Sequence, residues 1–157
     1  MSVAGAEMRR VAGAFATGVT VVTAAHGVVP CGLTVNSFAS VSLEPPLVLV
    51  CISRRARAHS GIEAAGGFAV NVLAEGQEGV ARLFASLAED KFTGLDHRPS
   101  PAGHPLLAGT CAWLDCEVVA SHAAGTHTIH VGRVTALDTT ARPPLLFHRG
   151  RYTLLAE

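Results

Sequence analysis

Met8, Val11, Ala12 and Phe15 recur at i, i+3, i+4 and i+7, one stripe of a short helix that Gly18 is placed to end. Beyond Gly18 the pattern becomes that of strands. Val19-Thr20-Val21-Val22-Thr23 is β-branched throughout, and His26-Gly27 marks the turn that follows. Leu33 to Ser42 reads as one alternating strand, with Leu33, Val35, Ala39 and Val41 on one face. Thr34, Asn36, Ser40 and Ser42 take the other, where Phe38 interrupts them. Glu44-Pro45-Pro46 breaks the pattern, because proline has no amide for a ladder. The unbroken apolar run Leu47 to Ile52 then predicts a strand buried on both faces.

Ser60 and Glu63 have the spacing of a capping box, which predicts a helix from Ser60 to the Gly66-Gly67 pair. Phe68 to Leu73 reads as a strand, and Val80, Leu83, Phe84 and Leu87 form the stripe of another helix. Asp96 to Gly109, rich in Pro, Gly and His, reads as loop. Ala112 to Ala120 alternates, with Leu114, Cys116 and Val118 inward and Asp115 and Glu117 outward. Thr126 to Leu137 forms a long strand, and Leu145–His148 and Tyr152–Leu155 flank an Arg149-Gly150 turn. Strand predominates, about three short helices interrupt it, and no repeat or linker divides residues 1–157, so one closed β-barrel domain is expected.

Composition narrows the classes. Apolar residues make up 49% of the chain, charged residues 15%, and the formal net charge is zero. No overall field draws the chain to nucleic acid or to an anionic membrane. No run approaches the ~20 apolar residues of a membrane span, and Met1 to Arg10 lacks the apolar core of a secretory signal. Cys31, Cys51, Cys111 and Cys116 show no CxxC spacing. A cytoplasmic protein with free thiols is the expectation.

The segment from Ser53 to Ser60 carries the strongest chemical signal. Arg54, Arg55 and Arg57 follow a buried strand and precede a helix start, where unpaired amides, the helix dipole and guanidinium forks favour a phosphate or pyrophosphate. A solvated basic loop is the plainer alternative. There is no G-x-G-x-x-G, Gly13 to Gly18 lacks the Lys-Ser/Thr of a P-loop, and G-x-S-x-G is missing. No closed set of metal ligands stands out, since His127 and His130, three apart on a strand, point to opposite faces. His127 itself follows Gly125-Thr126 at a strand mouth, where a side chain can reach a site or simply meet solvent.

Several blocks together resemble the flavin reductases of FMN-binding split-barrel fold, the small components of two-component flavin-dependent monooxygenases. They are Phe15-Ala-Thr-Gly-Val-Thr-Val-Val-Thr23, the long block from Cys31 to Ile52, Phe68-Ala-Val-Asn-Val-Leu73, Phe84-Ala-Ser86 with Asp90-Lys-Phe92, Gly125-Thr-His-Thr-Ile129 with Val131-Gly-Arg-Val134, and Pro144 to Tyr152. The resemblance implies a Greek-key type split barrel that reduces FAD or FMN with NADH or NADPH. It also implies a homodimer, with flavin near the subunit interface, that supplies reduced flavin to an oxygenase. Thr34, Val35, Asn36, Ser37, Ser40 and Val41 match the stretch along the isoalloxazine and ribityl chain. Ile52, Ser53, Arg55, Ala56, Arg57 and Ala58 match the phosphate-binding stretch, and Phe84, Ala85 and Ser86 border the same cofactor. His127 matches the residue near the nicotinamide, and Tyr152 an aromatic lining that pocket.

Two departures matter. Many members carry Ser-x-Thr where this chain has Ala56-Arg57-Ala58, and the usual Gly-Asp-His is Gly125-Thr126-His127. The first removes two phosphate-binding hydroxyls, and the second removes a carboxylate beside the histidine. A flavin- or haem-binding barrel without nicotinamide turnover, or a non-redox module on the same fold, stays open at this point.

Overall fold

A computed structural model describes residues 2–156. Its main element is a seven-stranded antiparallel sheet in the order β3-β2-β6-β9-β10-β5-β4. The strands are β2 (Thr20–His26), β3 (Val29–Val35), β4 (Phe38–Leu43), β5 (Pro46–Ser53), β6 (Gly67–Val72), β9 (Ala112–Ala124) and β10 (His127–Thr139). β3 and β4 lie at opposite edges, yet only Asn36 and Ser37 join them. So short a link forces the sheet to curl until its edges approach, giving a barrel split between β3 and β4. Ser37 secures the corner, accepting from the Cys51 amide at 3.3 Å and donating its hydroxyl to the Cys51 carbonyl at 2.9 Å. The single strand expected from Leu33 to Ser42 is therefore two, divided where the chain crosses the split.

Two short sheets complete the fold: β1 (Thr17–Gly18) with the hairpin β11 (Leu146–His148) and β12 (Arg151–Thr153), and the hairpin β7 (His97–Pro99) and β8 (Pro105–Leu107). The second hairpin corrects the loop expected from Asp96 to Gly109. Its Ala102 amide donates to the Asp115 carboxylate at 2.9 Å, and Asp115 is fully buried rather than outward. A register shift between Val134 and Ala136, opposite Cys116 and Asp115, breaks the strict alternation there.

Helix α2 (Arg57–Ala65) plugs one end of the barrel, placing Ala58 and Ile62 against Val22, Val50, Ile52 and Phe68. It begins three residues before the expected Ser60. Ala56 is its N-cap and no side chain caps it, so Ser60 and Glu63 form no capping box. Its end falls where expected, at Gly66, whose φ of 66° suits a residue without Cβ. Helix α3 (Glu78–Ala85) packs on the outside of the wall, where Ala81 and Phe84 join Val19, Val21, Leu73 and Leu145 in a second apolar cluster. β2 is thus buried on both faces. On β5 the inward Val48, Val50 and Ile52 are buried, while Leu47, Leu49 and Cys51 are only half covered, less than the continuous apolar run implied.

Helix α1 (Gly5–Ala12) differs most from expectation. It ends at Gly13, not Gly18, and buries no residue at all. Met8, Val11 and Phe15 stand 61%, 57% and 78% exposed.

Beneath α2 lies a polar cluster. The buried His130 Nδ1 bonds the Ser121 hydroxyl at 2.9 Å, while its Nε2 has no partner. His59 and Glu63 of α2 are the titratable groups acting on it, and burial, followed by His59, holds its pKa below the usual imidazole value, while Glu63 pulls the other way. The folded state therefore favours neutral His130, and stability is complete above the unfolded value near 6.5 and declines as pH falls below it. Melting temperature is expected to drop between about pH 7.5 and pH 5.5. His130→Phe should reduce that drop. His104, displaced the same way chiefly by burial, sustains the remainder.

Candidate active site

A cavity of about 670 Å³ opens between β3, the start of α2, and the segment that follows α3. Its size lies within the roughly 300–1,000 Å³ usual for small-molecule sites. β3 supplies a floor that includes Thr34, and the α2 start supplies Arg55, Ala56, Arg57 and Ala58. Phe84, Ala85 and Ser86 form a further wall. These eight expected residues therefore meet in one place.

Local chemistry explains the arrangement. The Thr34 hydroxyl donates to the Ala81 carbonyl at 2.6 Å, locking β3 to α3. Gly32 lets the Phe84 ring lie on the strand, since a Cβ there would sit 2.8 Å from Phe84 Cε1. Arg57 and Ala58, which open α2 and whose amides precede its first hydrogen-bonded turn, line the cavity with Arg55.

Lys91, the chain's only lysine, lines the same cavity and was not among the residues expected there. Its ammonium donates to the Phe84 carbonyl at 2.9 Å. Burial, then the nearby Arg57 charge, lowers its pKa. Two cations thus press on one space. Arg57 pairs with Glu89 at 3.3 Å, too exposed a pair to contribute much, and Asp90 is the other carboxylate lining the cavity. A phosphate or pyrophosphate relieves that repulsion, so the side chains present fit the phosphate end of a flavin nucleotide. The signal missed in the sequence was the isolation of this lysine, whose place beside Arg57 depends on the turn after α3. Cys31 also borders the cavity, and burial raises its thiol pKa, so it is not a ready nucleophile.

Other expected residues lie elsewhere. Val35 ends β3, Asn36 is exposed at the corner, and the Ser37 hydroxyl is engaged with β5. Ser40 and Val41 are exposed on the edge strand β4. Ile52 is wholly buried in the barrel, leaving only its backbone for contact, and Ser53 is half-buried and accepts from the Arg55 amide at 3.3 Å. Arg54 turns away from the cavity and donates to the Gly125 carbonyl.

His127 opens β10 on the exposed side, opposite Ser53 of β5, whereas His130 faces inward. Its Nδ1 lies 2.9 Å from the Thr126 hydroxyl. Tyr152 belongs to a separate depression of about 410 Å³ with His148, Arg149 and Arg151, and the Arg82 guanidinium lies 5.2 Å from its ring centre. One chain therefore leaves the cavity, His127 and Tyr152 as three separate patches.

Residues 8–156 match the flavin reductase like domain. The chain belongs to this family. It is 47% identical over 148 residues to the reductase subunit HsaB of a flavin-dependent monooxygenase from Mycobacterium tuberculosis, covering 92% of this chain and 79% of that one. It is 45% identical over 156 residues to an NADH-dependent FAD reductase from Streptomyces globisporus, covering 96% and 85%. The solved structure of the Streptomyces globisporus NADH:FAD oxidoreductase SgcE6, in complex with NAD and FAD fragments, superposes with a TM-score of 0.92 at 44% identity. The match covers 96% of this flavin reductase and 92% of that chain. The split barrel expected from the sequence is therefore its fold, and a barrel without redox chemistry is set aside.

Proposed function

We propose that this protein oxidises NADH or NADPH, reduces FAD or FMN, and supplies the reduced flavin to a separate oxygenase. One observation carries the reading: the cavity where Arg55 and Arg57 at the start of α2 and Lys91 beyond α3 bring three cations together. Flavin accepts hydride from the nicotinamide when the two rings stack. The chain's residues bind and orient. Arg55, Arg57, Lys91 and the first α2 amides hold phosphate, while Thr34, Val35, Asn36 and Ser37, with Ser40 and Val41, offer mainly backbone along the ring and ribityl chain. Ile52, Ser53, Ala56 and Ala58 shape the phosphate loop, and Phe84, Ala85 and Ser86 bound it. His127 positions the nicotinamide and Tyr152 lines its pocket, so no side chain has to act as acid or base. NADH oxidation that depends on added FAD or FMN is the test. Flavin binding without oxidation of either nicotinamide removes the reductase reading.

Assembly as a homodimer completes this proposal. The uncovered Met8 and Val11 of α1, with Phe15 just beyond it, give the N-terminal segment an apolar face fit for a second copy, and a pocket left in three patches by one chain suits a site closed by another. Sedimentation is expected to show a dimer at micromolar concentration, and Val11→Glu with Phe15→Glu to shift it to monomer. The proposed setting is the cytoplasm, with neither membrane nor nucleic acid as partner. Among the described residues no helix is long and apolar enough to cross a membrane.

A further inference from the structure

We infer that Arg54 is a positioning residue that sets His127 from the flavin side of the site. The inference rests on the reading of His127 as the group that positions the nicotinamide. Arg54 directly precedes Arg55, which lines the phosphate cavity, yet it serves the other half of the site. Its amide donates to the Thr126 carbonyl at 3.0 Å, and its guanidinium donates to the Gly125 carbonyl. Both acceptors belong to the turn between β9 and β10, and Thr126 in turn bonds His127 Nδ1 at 2.9 Å.

The two sides of His127 are held unequally. On the β10 side, Thr128 is buried, and its hydroxyl lies 2.8 Å from His59 Nε2 of α2. On the turn side, residues 121–127 are all exposed, and Gly125 takes a φ of 56°. The ladder pairs His127 with Ala124 and Ser53, and beyond it the bonds from Arg54 are what tie the exposed Gly125 and Thr126, and through Thr126 the imidazole, to β5. Because Arg54 shares its loop with Arg55 and Arg57, the phosphate grip and the nicotinamide histidine hang on one short segment.

The experiment is a double-mutant cycle on NADH oxidation at saturating flavin, using Arg54→Ala, His127→Ala and the combination. Arg54→Ala removes the guanidinium bond and leaves the amide bond in place. It is expected to raise the NADH KM by about threefold to tenfold, the span of one lost hydrogen bond, while flavin affinity by fluorescence titration stays within about twofold. In the His127→Ala background the same change should add almost nothing, because the residue being positioned is gone. Arg54→Lys, which keeps a donor of similar reach, should recover most of the loss. An equal KM rise in both backgrounds, or none when His127→Ala itself raises KM, overturns the inference alone. A silent His127→Ala overturns the reading beneath it as well.

Discussion

Replacing Arg57 with alanine and Lys91 with methionine together should nearly abolish flavin binding while leaving the fold intact. Each cation offers a phosphate one or more charge-assisted hydrogen bonds, worth about 1.5–3 kcal/mol apiece. If the two effects add, flavin affinity falls by about a hundredfold to ten-thousandfold. Folding should suffer little. The Arg57 side chain is 70% exposed, and its pair with Glu89 lies in solvent. Methionine preserves the packing of the Lys91 stem, and burial together with the Arg57 charge already disfavours the ammonium there. Titration by flavin fluorescence and a thermal melt of the flavin-free protein measure both quantities. A double variant that binds flavin like the parent makes this cavity something other than the phosphate site. Single variants should each lose part of the affinity, with Arg57→Ala also freeing Glu89 to repel the incoming phosphate.

His127→Ala should lower kcat/KM for NADH about tenfold, or ~1.4 kcal/mol of transition-state stabilisation, with flavin affinity nearly unchanged. The geometry gives Thr126 a part in this. Its hydroxyl, 2.9 Å from Nδ1, makes the orienting bond at the position where the family's usual motif carries a carboxylate. Thr126→Val should therefore reproduce part of the loss. Thr126→Asp should strengthen nicotinamide use, because a carboxylate orients an imidazole through a charge-assisted bond. Steady-state kinetics at saturating flavin decide the matter. If all three variants match the parent, His127 is an exposed strand-end residue and the nicotinamide is positioned elsewhere.

The sequence by itself determined the strand content, the family blocks and most turn positions, because these depend on neighbours a few residues apart. Gly27 and Gly66, both at positive φ, stop their elements where their residue type demands. It also marked Arg54, Arg55 and Arg57 as candidate anion ligands, since basic residues between a buried strand and a helix start suit a phosphate, with a solvated loop as the alternative.

Tertiary structure decided what local pattern leaves undetermined. The chain from Leu33 to Ser42 alternates without a breaker, but closing the barrel bends it at Asn36–Ser37, and the bond between Ser37 and Cys51 forms only across that corner. Asp115 looked outward by alternation, but the β7–β8 hairpin covers it and the register shifts beside it. The α1 stripe announced burial that one chain does not provide, since an amphipathic period says that a face needs cover without saying which molecule supplies it. Arg54, read as one of three equivalent arginines, parts from the other two because the turn between β9 and β10 lies within its reach. Lys91 meets Arg57 for the same reason. Side chains far apart in the chain become neighbours only when the sheet curls, and their charges act on one another only then.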